Sequence, residues 1–113
     1  MNQNQHTIGG AEKSNGDSGS TKTVDWKLGN HQMVTMTADC TFTFTAPTRA
    51  CMLSLRIVQD STGGFTPTLP SMKWAGGEAP AFTLTADAID IVSMYYDGTS
   101  YYAQIGNDFK VVS

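Results

Sequence analysis

The sequence predicts an all-β protein: a single antiparallel β-sandwich or jelly-roll-like barrel over residues 24–113, preceded by a disordered N-terminal arm over 1–23. Three observations predict it. From Thr23 onward apolar and polar residues alternate with period two, the pattern of half-buried strands. Turn-forming clusters break that alternation at short spacing, as at Gly29-Asn30, Ala38-Asp39, Asp60 to Gly64 and Asp97-Gly98. No heptad, internal repeat or long amphipathic helix is visible, and roughly seven to nine short strands suit a sandwich or jelly roll.

Each element follows from its residues. Residues 1–23 are rich in Asn, Gln, Gly, Ser and Thr, with Ile8 the one large aliphatic after Met1. Such a segment buries too little to offset its ordering entropy, so it reads as an arm that is free or orders on a partner. Thr23 to Leu28 is a first strand, with Trp26 filling the core beside Val24 and Leu28. Gln32 to Thr37 follows, then Cys40 to Thr45, where Phe42 and Phe44 alternate with threonines. Cys51 to Gln59 is the longest and most apolar strand. A hairpin across Ala46 to Ala50 would set Phe44 against Leu53 and Phe42 against Leu55. Phe65 to Leu69 carries Pro67, which cannot donate to a ladder, so it is a short edge strand or extended loop. Met72 to Trp74 and Phe82 to Thr85 are further short strands.

The last hairpin joins Ala88–Tyr96 to Thr99–Ile105 through Asp97-Gly98, by a loop of two or four residues. Either loop gives one face of Val92, Met94, Tyr96, Tyr101, Ala103 and Ile105, which belongs in the core. The other carries Ile91, Ser93, Tyr95, Tyr102 and Gln104, too aromatic for ordinary solvent-facing surface.

Bulk properties exclude several classes. The chain has 113 residues, enough for one modest core, with 15% charged residues and a net charge of −3. No basic excess exists to neutralise a phosphate backbone, so nucleic acid is not an expected partner. No run approaches the ~20 apolar residues of a membrane span, and Met1 to Ile8 lacks the apolar centre of a secretory signal. In the hairpin register Cys51 lies opposite Ala46, six positions from Cys40. That is roughly 20 Å along a strand, beyond disulfide reach. Both cysteines are expected to be inward-facing free thiols, consistent with a reducing cytoplasm.

No chemistry-bearing constellation appears. His6 and His31 are the only histidines, and no Cys-x-x-Cys or Asp-x-Asp-x-Asp run exists, so neither metal nor other cofactor is expected. There is no Gly-x-Ser-x-Gly elbow and no phosphate-binding loop after Gly63-Gly64 or Gly76-Gly77. Glu12 and Glu78 are the only glutamates, and nothing nominates a carboxylate pair. No nucleophile–base pair can be named, so the expectation is a protein that is not an enzyme. The aromatic residues remain, suited to ring stacking or to a protein interface.

Several strings together resemble a recurrent module of tailed-bacteriophage virion proteins. They are Val24-Asp25-Trp26-Lys27-Leu28-Gly29-Asn30, Cys40-Thr41-Phe42-Thr43-Phe44-Thr45-Ala46-Pro47 and Leu55-Arg56-Ile57-Val58-Gln59-Asp60-Ser61-Thr62-Gly63-Gly64. Lys73-Trp74-Ala75-Gly76-Gly77-Glu78-Ala79-Pro80 and Asp90-Ile91-Val92-Ser93-Met94-Tyr95-Tyr96-Asp97-Gly98-Thr99-Ser100-Tyr101-Tyr102 complete the set. The resemblance covers residues 24–109. It implies a virion component made in the host bacterial cytoplasm, either a short stand-alone protein or the end of a tail-fibre-like chain, and carries over no catalytic residue. The module begins about 25 residues after Met1, too few for a repetitive fibre shaft. This favours a capsid decoration or head-fibre-type protein.

Such a protein is expected to form a homo-oligomer, most simply a trimer, through a self-complementary patch. The candidate contacts are Met52, Arg56, Tyr95 and Tyr102. Residues 1–23 are expected to attach it to the major capsid protein or another virion protein. In the alternative, a tail-fibre or receptor-binding tip, Trp74 and Glu78 with the loop Gly76 to Pro80 form a shallow platform for a host glycan. Burial of Trp74 discriminates between the two.

Overall fold

The computed structural model describes residues 11–112. Among the described residues there are nine strands: β1 (Lys13–Asp17), β2 (Thr21–Asp25), β3 (His31–Met36), β4 (Cys40–Thr45), β5 (Cys51–Gln59), β6 (Pro67–Thr68), β7 (Lys73–Trp74), β8 (Ile89–Tyr96) and β9 (Tyr101–Gly106). They form a six-stranded sheet ordered β1-β3-β5-β8-β9-β7 and a three-stranded sheet ordered β2-β4-β6. The all-β expectation therefore holds. The expected antiparallel pairing does not. Only β5–β8 and β8–β9 are antiparallel, whereas the other five pairings are parallel.

From β1 to β6 the chain alternates between the sheets, forming a flattened coil whose rungs stack in parallel register. Lys13 sits opposite Gln32, Thr21 opposite Thr41, His31 opposite Ser54 and Cys40 opposite Pro67. Parallel neighbours need a long crossover, and here each crossover is a strand of the facing sheet. The corners also stack. Ser18 N donates to Thr35 O (2.8 Å), Thr37 N to Ser18 Oγ (3.1 Å) and Gly19 N to Thr37 Oγ1 (3.2 Å), joining the first corner to the next.

This topology corrects the hairpin expected across Ala46 to Ala50. β4 and β5 lie in different sheets, so Phe44 pairs with Val24 and Leu53 with Met94. The free-thiol expectation survives the change: Cys40 is buried, Cys51 half-buried, and neither forms a disulfide. Burial pushes the Cys40 thiol pKa up.

The expected arm also changes. Residues 1–10 lie outside the described part, but 13–17 and 21–25 are strands. Polar groups rather than apolar area hold β1. Asn15 Nδ2 donates to Gln32 Oε1 and Met33 O, both at 3.1 Å, while Lys22 Nζ reaches Asn15 O at 2.9 Å. As an edge, β1 is blunted by its polarity and by a register break between Ser14 and Asp17.

One apolar cluster joins the sheets. Val24, Cys40 and Phe42 come from the smaller sheet, with Val34, Met36, Leu53, Leu55, Ile57, Val92 and Met94 from the larger. Trp26 joins them from a tight 3₁₀ turn over Trp26–Leu28. The same turn throws Leu28 outward, 63% exposed, against the expectation that it shares the Trp26 face. Three buried polar side chains fasten the loops to the larger sheet. Gln32 Nε2 donates to Asp25 O and Gly29 O; Gln59 bonds both backbone groups of Phe65; Asp90 accepts from Thr83 N, Asp108 N and Asn107 Nδ2. The segment Phe82 to Thr85, expected as a strand, is irregular and held partly through Asp90. In the 60–64 turn, Gly63 has φ +72°, and a Cβ there would lie 2.5 Å from Ala86 N, so only glycine fits.

The closing hairpin keeps its expected faces, with Tyr96 opposite Tyr101, Met94 opposite Ala103 and Val92 opposite Ile105. Its loop is the four-residue form, closed by Asp97 N to Ser100 O at 3.1 Å.

Candidate functional site

Strand register organises the outer face of the larger sheet into rows. Met52 pairs with Tyr95, Tyr95 with Tyr102, and Tyr102 with Lys73, giving one row across β5, β8, β9 and β7. The next row is polar: His31, Ser54, Ser93 and Gln104. Beyond it lie Met33, Arg56 and Ile91, then Thr35, Val58 and Ile89. Period two alone dictates these faces, since every second residue of each strand points outward.

The first row is the most exposed apolar surface on this face. Met52 is 61% exposed, Tyr95 43% and Tyr102 42%. The tyrosine rings lie 6.3 Å apart with planes tilted by 32°, and Lys73 Nζ stands 5.3 Å from the Tyr102 ring centre. They border an open depression of about 300 Å³, lined by Met52, Lys73, Trp74, Tyr95, Tyr102 and Gln104. Large apolar side chains grouped on one rim are a feature of binding surfaces.

The hairpin loop orients Tyr102. Its hydroxyl donates to Asp97 Oδ2 at 2.9 Å, while Asp97 Oδ1 accepts from Thr99 N and Ser100 N, each at 2.8 Å. The bonds from Ser100, Thr99 and Tyr102 hold the Asp97 carboxyl below its ordinary pKa. The hydrogen bond to Asp97, with its charge, raises the Tyr102 hydroxyl above the usual tyrosine value.

Of the four expected contact residues, the structure brings Met52, Tyr95 and Tyr102 together and separates Arg56. Arg56 is engaged within the chain: Nε donates to Glu12 Oε2 at 2.9 Å and Nη2 to Glu12 Oε1 at 2.8 Å. This fork lowers the Glu12 pKa and raises that of Arg56, through the hydrogen bonds first. Glu12 lies just before β1, in the segment read as an arm, so its link to Arg56 was illegible from spacing.

Trp74 is half-buried. It pairs with Ala103 on β9, packs against the core, and lines both this depression and a second of about 470 Å³ beside Pro67, Leu69, Pro80 and Phe82. Glu78 is exposed and lines neither. The glycan platform as first read, Trp74 with Glu78, is therefore not assembled; the aromatic surface that exists is Trp74 with Tyr95 and Tyr102. Lys73 was missed. Its signal was its place beside Trp74 opposite a Tyr-Tyr pair, which needs the parallel β7–β9 pairing to be seen.

Among the described residues, no three His, Cys, Asp or Glu side chains are grouped to hold a metal ion. Around the tyrosine row this face offers aromatic area, the Lys73 ammonium and hydrogen-bonding amide and hydroxyl groups. No protein-family model, curated protein or solved structure matches the chain.

Proposed function

We propose that this chain is a structural module of a tailed-bacteriophage virion, of the capsid-decoration or head-fibre kind, that assembles with copies of itself through the outer face of its larger sheet. The observation that carries the assembly reading is the in-register row Met52–Tyr95–Tyr102, exposed at the rim of a depression. The virion assignment rests on the sequence resemblance over residues 24–109. Tyrosine is favoured at interfaces because it supplies rigid area with one polar handle. A homotrimer is the proposed state, since a closed ring buries this row on every copy. Attachment to the major capsid protein or another virion protein is proposed for residues 1–10, because 13–17 and 21–25 are committed to the coil.

Light scattering on the full chain tests the assembly. A trimer mass is expected, falling toward monomer in Tyr95→Ala with Tyr102→Ala; a wild-type monomer would remove the proposal. Deleting residues 1–10 should leave the thermal transition in place and abolish binding to purified particles. Deleting 1–20 should lower the transition as well, because it removes β1.

A second reading is kept because Trp74 is not fully buried: the same depression takes a host saccharide, with the tyrosines and Trp74 stacking on its apolar face and Gln104, Ser93 and Lys73 bonding its hydroxyls. A glycan array separates the readings. Saccharide binding by a monomer, abolished by Tyr102→Ala, would favour it over assembly.

A further inference from the structure

From a third cavity, on the side of the coil where the β2–β3 and β4–β5 corners meet, we infer a carboxylate-binding site independent of the tyrosine row. The cavity measures about 240 Å³, and its wall includes Trp26, Lys27, Asn30, Thr48, Arg49 and Cys51. Two observations point to a ligand with negative charge. The first is Trp26. Its side chain is 1% exposed, and its Nε1 is the only buried side-chain nitrogen or oxygen among the described residues that has no hydrogen-bond partner. An indole N–H can only donate, so it requires an acceptor, and a buried donor without one calls for an explanation.

The second is charge. Lys27 and Arg49 both contribute to the wall, and among the described residues no carboxylate does. Neither cation is in a salt bridge among the described residues, where the pairs are Arg56–Glu12 and Lys110–Asp108. Asp25, the adjacent acid, is turned to the backbone and accepts from Lys27 N at 2.9 Å. A cationic concavity on a chain of net charge −3 is selective for anions by local field rather than by overall charge. A guanidinium matches the two oxygens of a carboxylate, and Trp26 forms part of the same wall.

The carboxylate has two sources with the same chemistry: a small organic acid, or an acidic side chain of a neighbouring protein. Proton–nitrogen correlation spectra of the full chain distinguish them. The chain has two tryptophans, Trp26 and Trp74, so two indole N–H signals are observed, and Trp26→Phe assigns them. Sodium acetate and a blocked Gly-Glu-Gly peptide are titrated separately against sodium chloride of equal ionic strength. The expected result is a saturable downfield shift of the Trp26 signal with the Trp74 signal fixed. Arg49→Gln, a substitution at an exposed loop residue, should weaken the binding about tenfold or more. A response to both probes supports a free-acid site; a response to the peptide alone supports a partner's side chain. If neither moves the Trp26 proton beyond the chloride control, or Arg49→Gln leaves the response unchanged, the site is overturned and the cavity holds water alone.

Discussion

The two sheets present outer faces of opposite character on the same core. The smaller sheet shows a threonine array: Thr21, Thr41 and Thr68 lie in one row, and Thr23 and Thr43 in the next, with hydroxyl oxygens 2.8 Å apart. The larger shows Met52, Tyr95, Tyr102, Met33, Val58, Ile89 and Ile91 with few charges. Both obey the same period-two rule inward. The difference outward teaches which face leaves apolar area uncovered. Threonine suits a pleated surface and leaves it wetted, whereas grouped tyrosine and methionine leave apolar area uncovered.

The largest test concerns what keeps the faces apart. Phe42 is 2% exposed beneath the threonine rows. Phe42→Ala should cost about 3–5 kcal/mol in urea unfolding. It should leave the oligomer mass unchanged in the folded fraction, and a change of mass without loss of stability would mean that the smaller sheet forms the contact. Surface substitutions come next. Thr41→Lys with Thr43→Lys should leave the mass at its wild-type value, whereas Tyr95→Ala with Tyr102→Ala lowers it; the reverse result would exchange the roles of the two faces.

Smaller effects sharpen the comparison. Glu12→Gln removes the charge that Arg56 meets, but both side chains are more than a third exposed. Solvent screening limits the loss to about 0–1 kcal/mol, read as a slight fall in the thermal transition that high salt erases. A loss of several kcal/mol would show that the ion pair anchors β1 to the sheet.

The Asp97 loop gives the smallest effect. Its carboxyl is held below its ordinary pKa, so its contribution is present above the unfolded value and is lost as pH falls through the lower folded value. The Thr99 and Ser100 amide signals should titrate below the ordinary carboxylate midpoint. A midpoint at the ordinary value would mean that the loop does not fix Tyr102.

Thiol chemistry separates inner from outer positions in the same way. Cys51 should be alkylated before Cys40, because Cys40 is buried with its thiol pKa raised. Equal rates in folded protein would contradict the burial of β4's first residue.

The closing hairpin was readable in detail, and the coil was not. Asp97-Gly98 joins strands that are neighbours in sequence and in space, so turn chemistry and alternation suffice to place the hairpin and its two faces, and the structure selects the four-residue loop. Between β4 and β5 the same alternation suggested a hairpin, because consecutive strands usually pair. The five-residue connection instead carries the chain to the other sheet. The polar segment 13–17 was likewise unreadable, since its hydrogen bonds go to Gln32 and Met33 O, which only stacking brings near.

By itself the sequence determined the β class, the inward face of the last hairpin with Val92, Met94, Tyr96 and Ala103, and the tyrosine face opposite it. All depend on local alternation, turn chemistry or residue type. Tertiary structure alone decided the parallel coil, the pairing of Lys73 with Tyr102, the capture of Arg56 by Glu12 and the enclosure of Trp26 without a partner. The physical reason is that period two fixes which face a side chain takes but says nothing about which strand lies beside it. Partners across a parallel rung are set by packing between residues far apart in the chain.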